Sequence, residues 1–204
     1  MKYTVTILAF LLIAGANLQA QNIKATTQDG KEVILAPNGT WKYSDPTIIK
    51  TGMKPVTATK SVKSTIVKGF EYWMDAKKWV ASKKKDTENA EFQFNHSDGN
   101  CSIIIFTDKN YVSPDNYAQQ FIEGLHQSSP DAKLINEEKR IFNGVEVRLV
   151  AVDAVFENIT FRYYVCFYSG KKGTTQIISY TALELFPQFE KEIVDFMTGF
   201  VIKD

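Results

Sequence analysis

Apolar residues recur at every second position through much of the C-terminal half of the chain. This alternation runs through 145–156 and 159–168, where several of the intervening positions are apolar as well. Strands with apolar residues on both alternations are covered on both faces of their sheet. Further strands are predicted over 90–96, 101–107, 133–140 and 175–181. We expect an α+β fold, in which helices pack on the faces of an antiparallel β-sheet.

Two other segments have helical periodicity. Ser113-Pro114-Asp115 is typical of a helix start, and Tyr117 and Phe121 follow at helical spacing before Pro130. The second segment runs from about 187 to 201 and has a continuous apolar face. Both helices are expected to lie against the sheet.

Residues 1–20 have the pattern of a secretory signal peptide. A lysine precedes a short apolar run, and small and polar residues then lead to Ala20 and Gln21, between which we expect cleavage. The apolar run is shorter than the roughly 20 residues that a transmembrane helix needs. We therefore expect an exported protein, periplasmic or secreted, with no stable membrane insertion after cleavage.

The mature chain divides into three parts by composition. Residues 21–44 contain two hairpin signals, Asp29-Gly30 and Asn38-Gly39, which predict a small β-meander module. Residues 45–64 are rich in Thr, Lys, Ser and Pro and are interpreted as a flexible basic linker. Residues 65–204 have the length of one domain, which is expected to hold the sheet and both helices.

The charge balance gives no indication of a nucleic-acid partner. The whole chain has 24 basic and 23 acidic residues, so no strong overall field attracts polyanions.

Cys101 and Cys166 both fall in predicted strands. An exported protein can oxidise such a pair to a disulfide, but lone buried cysteines also serve as small apolar residues. Sequence spacing does not decide between these alternatives.

The order of elements from about Phe70 to Asp204 resembles the PsbP-like and DcrB-like families of α/β/α sandwich proteins. The resemblance lies in Trp73 and Trp79, the hairpin FQFNHSDGNCSIIIF, the Ser-Pro helix, the strands around RIFNGVEVRLVAV and FRYYVCFYSGKKGTTQIISYTA, and the closing helix FPQFEKEIVDFMTGF. It implies an exported or lumenal accessory protein that binds partners. Since these families define no compact active-site motif, the resemblance assigns no functional residues.

No segment has the pattern of a catalytic, cofactor or metal site. His96-Ser97-Asp98 has the residue types of a hydrolytic triad, but neighbours in sequence cannot take up triad geometry. The chain has two histidines and no paired metal-ligand spacing. Asp108-Lys109-Asn110 and Lys171-Lys172-Gly173 are interpreted as turns. We therefore expect no cofactor.

Aromatic residues are concentrated in two adjoining strands. Since aromatic side chains favour strands, covering helices would ordinarily bury them. If a helix leaves part of the sheet uncovered, they become a candidate platform for a sugar or peptide. These residues are Tyr163, Tyr164, Phe167, Tyr168 and Tyr180.

The leading functional hypothesis is a non-enzymatic accessory or binding protein of the bacterial envelope, with an envelope protein or a glycan as partner. A second hypothesis is a hydrolase whose carboxylates meet only in the fold, with Asp153 or Glu157 beside Glu184. A third treats the meander module as an attachment device, with Trp41 and Tyr43 docking on another protein.

Overall fold

The computed structural model describes residues 23–27, 32–35, 41–44, 50–114 and 117–203. The chain divides into two compact units, residues 1–48 and 49–204. The predicted signal peptide, its cleavage position at Ala20 and Gln21, and the turns Asp29-Gly30 and Asn38-Gly39 lie outside the described residues. No helix in the described part is long and apolar enough to cross a bilayer.

The first unit contains the predicted meander. Its strands are β1 (Ile23–Thr26), β2 (Glu32–Leu35) and β3 (Trp41–Tyr43). They form an antiparallel sheet in the order β1-β2-β3, in which Val33 lies opposite both Ala25 and Tyr43.

The second unit holds the main sheet and both helices. Its elements are β4 (Lys50–Gly52), β5 (Lys60–Lys63), β6 (Phe70–Met74), β7 (Trp79–Ala81), β8 (Phe92–His96), β9 (Cys101–Asp108), α1 (Tyr117–His126), β10 (Lys133–Phe142), β11 (Val145–Phe156), β12 (Ile159–Gly170), β13 (Gly173–Ala182), α2 (Phe186–Met197) and β14 (Phe200–Ile202).

Eight of these strands form one sheet in the order β4-β10-β11-β12-β13-β9-β8-β7. The pairs are antiparallel apart from β4 with β10. The strands β10 to β13 follow one another as hairpins, the first closed by Asn143 and Gly144 with φ values of 49° and 85°. This confirms the predicted α+β fold with an antiparallel sheet.

The two faces of the main sheet are covered differently. On one face, α2 and a second sheet of order β14-β6-β5 enclose the larger core, which includes Phe70, Ile103, Leu149 and Phe196. On the other face, α1 packs over a smaller core built around Val150. The second helical layer is thus only partial.

The last helix is shorter than predicted. The sequence pattern extends the helix to about residue 201, but α2 ends at Met197 and residues 200–202 form β14. Phe200 pairs with Tyr72 on β6 and is fully buried. The apolar residues after Met197 therefore form a strand and do not extend the helix, because they pair with β6 instead.

The segment predicted as a linker, 45–64, contains two of these strands in its described part. β4 pairs with β10, and β5 pairs with β6 from Lys60 to Lys63. Ala58 is buried and Val62 packs on the larger core. The polar composition reflects strands with one exposed face rather than an unstructured connection.

Candidate binding site

The helix α1 covers the part of its sheet face that lies over β10, β11 and β12. Tyr117 stacks on Phe167 with ring centroids 3.8 Å apart, and its hydroxyl donates to the Gln176 side-chain oxygen at 2.9 Å. Ala118 and Ile122 complete the contact with Val150 and its neighbours. Among the described residues, no helix continues this layer over β13, β9 and β8.

Along one side of α1, and including Phe121 of that helix, the face presents a set of half-buried aromatic rings, which we call the aromatic patch. Tyr163 and Tyr180 are directly opposite each other on β12 and β13, and their rings stack at 5.9 Å. Phe121 and Phe156 each meet Tyr163 edge-on, at 6.2 and 6.3 Å. The patch consists of Phe121, Phe156, Phe161, Tyr163 and Tyr180.

The loop before β8 holds one side of the patch in place. Asp86 accepts hydrogen bonds from the Tyr180 hydroxyl at 2.5 Å and from the Gln93 amide at 2.8 Å. Burial raises the pKa of Tyr180 to about 12, and its hydrogen bond to Asp86 acts in the same direction. Tyr180 is therefore a neutral hydrogen-bond donor at any physiological pH.

A groove of about 490 Å³ adjoins the patch on the same face. Ile178 and Phe106 form its apolar part, and Gln176, Asn89 and Thr174 contribute amide and hydroxyl groups. Its volume lies within the range of small-ligand sites. The patch and the groove together make an uncovered surface of aromatic, aliphatic and uncharged polar groups, bordered by Asp108.

The five predicted platform residues do not share one face. Tyr163, Phe167 and Tyr180 point toward α1, whereas Tyr164 and Tyr168 pack with the larger core on the α2 side. Alternation along β12 requires this division, since neighbouring side chains point to opposite faces. Phe167 is also covered by Tyr117, so Tyr163 and Tyr180 are the predicted residues that reach the uncovered surface.

His96 is held by two carboxylates. Its Nδ1 lies 2.9 Å from Asp98 and its Nε2 lies 2.6 Å from Glu192 on α2, while Trp79 and Phe189 pack against the ring. Both nitrogens are thereby engaged, and Ser97 has no part in the arrangement. The cluster joins β8 to α2 and does not have triad geometry.

The two cysteines are buried free thiols. Cys101 lies opposite Thr181 and Cys166 lies opposite Ile177, on the two strands that flank β13. A disulfide requires Cα atoms within about 7 Å, and this register separates the thiols by two strand spacings across the sheet and four residues along it. In the structure, both cysteines therefore serve as small apolar residues of the core.

The carboxylates of the hydrolase hypothesis lie in different settings. Asp153 is bound by Arg162, its cross-strand neighbour, with one hydrogen bond of 3.1 Å and a second shorter one. Glu157 lies in the tight turn after β11 with φ of 50°, and Glu184 is exposed after β13. No group of three potential ligands suited to a metal ion occurs within the described ranges.

The remaining sequence candidates lie in turns, as interpreted. Asp108 accepts the Asn110 N–H at 2.7 Å, and Lys171-Lys172 form the turn between β12 and β13.

Comparison of the fold finds several solved structures that are similar to this chain, among them the following three. Cyanobacterial PsbP from Synechocystis matches with a TM-score of 0.55 and 14% identity over 74% of this chain and 96% of its own. A Pseudomonas aeruginosa protein of unknown function, PA94, matches with a TM-score of 0.45 and 14% identity over 71% and 97%. A Bacteroides thetaiotaomicron protein matches with 0.46 and 12% over 72% and 49%.

No protein-family model matches the chain, and no curated protein matches its sequence. The likeness to PsbP spans nearly the whole of that protein. The second unit therefore has the PsbP-like α+β fold.

Proposed function

We propose that this protein is an exported, non-enzymatic accessory protein of the bacterial envelope that binds a partner through the α1 face of its main sheet. The observation that carries the proposal is the uncovered surface beside α1. There, Tyr163, Tyr180, Ile178 and Phe106 are only half-buried although they lie on a sheet face that is otherwise a core. Apolar surfaces of this kind mark interaction sites.

The chemistry of the other candidates supports a binding role over a catalytic one. The His96 nitrogens are both engaged, Asp153 is paired with Arg162, and both thiols are buried. The surface itself offers ring faces, aliphatic groups and the amide of Gln176, which suit recognition of an extended peptide or a glycan. Export is supported by the pattern of residues 1–20.

Site-directed photo-crosslinking in native cells tests this proposal. A photoreactive phenylalanine analogue is placed at Phe106 or Tyr180 on the surface, and at Leu134 as a control that is 45% exposed on β10. We expect the same discrete adduct from both surface positions and none from Leu134. Adding Ile178→Lys, which places a charge in the middle of the surface, should abolish that adduct.

Two results would contradict the proposal. One is the absence of adducts from the surface positions, and the other is the same adducts from Leu134. Thermal unfolding of the Ile178→Lys variant separates loss of binding from loss of fold.

A further inference from the structure

Four lysines meet at one end of the main sheet, away from the aromatic patch. They come from three turns that are distant in sequence, and we call them the lysine end. All are exposed. They are Lys68, Lys109, Lys171 and Lys172.

Gly173 shows how closely these turns approach one another. A Cβ at Gly173 would lie 2.9 Å from Val67 Cγ2 and 3.3 Å from Lys109 Cα, and Gly173 directly follows Lys171-Lys172. The three turns therefore touch at this glycine. Like charges are gathered here in a chain whose totals are nearly balanced, at 24 basic and 23 acidic residues.

Lys68, Lys109 and Lys171 form no ion pair with the acidic residues that the structure describes. The Asp108 carboxylate borders the lysine end and accepts the Asn110 N–H. Glu71 is paired with Lys203 at 2.9 Å and with Lys63 at 3.8 Å. Lys172 donates to the Lys203 carbonyl oxygen at 2.5 Å, so the charge assigned to the docking surface is that of Lys68, Lys109 and Lys171.

Exposed apolar side chains lie beside the lysines. Tyr111 is 64% exposed and Val112 is 38% exposed, two and three residues after Lys109. The Val112 N–H donates to the Ser169 hydroxyl at 3.0 Å, which holds this segment against the end of β12. Tyrosine beside lysine is a combination found where proteins meet the headgroup layer of a membrane.

We propose that the lysine end docks the protein on an anionic phospholipid surface, with the lysines at the headgroups and Tyr111 and Val112 in the interface. Lysines attract such a surface additively and over a distance of about one Debye length. Docking by this end is peripheral and adds no membrane-spanning segment. It adjoins the groove of the α1 face, since Asp108 borders both surfaces, but none of the lysines lines that groove.

Vesicle co-sedimentation of the mature chain tests the proposal. We expect binding to vesicles of equal parts phosphatidylglycerol and phosphatidylcholine in about 50 mM salt, and release in about 500 mM salt. Phosphatidylcholine vesicles alone should not bind. In the triple variant Lys68→Gln, Lys109→Gln, Lys171→Gln, the affinity for anionic vesicles should fall about fivefold per lysine, which is on the order of a hundredfold in all.

A matched triple variant controls for total charge. Lys77→Gln, Lys83→Gln and Lys84→Gln remove three exposed lysines at other places on the unit, and this variant should keep most of the binding. A pair of changes at Tyr111→Ser and Val112→Ser should weaken binding to vesicles several-fold without changing its salt dependence. All three variants should unfold at the wild-type temperature.

Three outcomes would overturn the proposal. They are failure of the wild type to bind anionic vesicles at low salt, equal binding by both triple variants, and retention on immobilised heparin with no vesicle binding. The last outcome would assign the surface to a soluble polyanion. None of these experiments depends on the α1 face.

Discussion

At the scale of single residues, Gly199 sets the geometry between α2 and β14. A Cβ there would lie 1.8 Å from the Trp73 carbonyl oxygen and 2.8 Å from that of Phe196. The Trp73 N–H donates to the Gly199 carbonyl oxygen at 2.9 Å, so β6 cannot move away without losing a hydrogen bond. This position has room only for glycine.

We expect Gly199→Ala to lower the free energy of unfolding by about 3 kcal/mol, since backbone atoms must shift to admit the methyl group. Gly124 on α1 is the control, because a Cβ there meets nothing within 4 Å. Gly124→Ala should raise stability by up to about 1 kcal/mol through helix propensity. Urea denaturation measures both, and equal effects would contradict the argument.

The two thiols should be unreactive in the folded protein. Burial raises the pKa of Cys101 to about 12 and raises that of Cys166 further, and the thiolate is the reactive form. Ellman's reagent at pH 8 should therefore label neither cysteine in the native protein and both after denaturation. An intact mass two daltons below that of the reduced chain would instead reveal a disulfide.

Glu192 should make stability dependent on pH. Burial alone would raise its pKa, but hydrogen bonds from Lys78 and His96 together outweigh burial, and its pKa lies below the ordinary 4.5. A lowered pKa contributes stability above about pH 4.5, and this contribution is lost as the pH falls through the folded-state value.

Glu192→Gln should therefore cost about 1 kcal/mol at pH 7, and progressively less below pH 4.5. Glu190→Gln, an exposed change on the same helix, should have little effect at either pH. Denaturation curves at pH 7 and pH 3.5 provide the comparison. A penalty that grows on acidification would contradict this account.

At the scale of elements, the ring of Tyr117 is one of the contacts that anchor α1 on the sheet. Tyr117→Phe keeps the stacking on Phe167 and loses the hydrogen bond to Gln176, so it should cost about 1 kcal/mol. Tyr117→Ala also removes the ring and should cost about 3 to 5 kcal/mol. Chemical denaturation of the two variants tests this order, and equal losses would show that the ring contributes little.

The long strands were predictable from sequence, and the short ones were not. β11 has the predicted bounds because its alternation is continuous and turns flank it. β4, β5 and β14 are three or four residues long, and their pairing with distant strands, rather than a local pattern, makes them strands. Because β4 and β5 have no local strand pattern, the segment 45–64 was interpreted as a linker.

The candidate site was predictable only in part for a related reason. Alternation along β12 already places Tyr163 and Tyr164 on opposite faces, so the sequence contained the signal that divides the predicted platform. The pairing of Tyr163 with Tyr180 and the contribution of Ile178 and Phe106 depend on the order of β12, β13 and β9. The order of these strands in the sheet is set by tertiary pairing and is not visible in the local sequence pattern.

At the scale of the whole molecule, two deletions locate the boundary of the folded unit. A chain that begins at residue 49 should keep the cooperative unfolding of the second unit, because that unit begins there. Removing 21–64 also deletes β4 and β5, which exposes an edge of β6 and part of the larger core. The chain that lacks residues 21–64 should lose its cooperative thermal transition. If that chain still unfolds cooperatively, the interpretation of 45–64 as a linker would be restored.

The attachment role of Trp41 and Tyr43 stays a prediction, and the shorter deletion provides the variant on which to test it.

The order of strands also has a consequence for the timing of folding. β9 lies between β8 and β13, so its register with Thr174 and Thr181 cannot form until β13 has been synthesised, long after Asp108 and Cys101. Non-local pairing of this kind is slow. A chain emerging from the ribosome could pair its CSIIIF segment with β8 at once, but the edge of β9 that faces β13 would stay unpaired until most of the chain has been made.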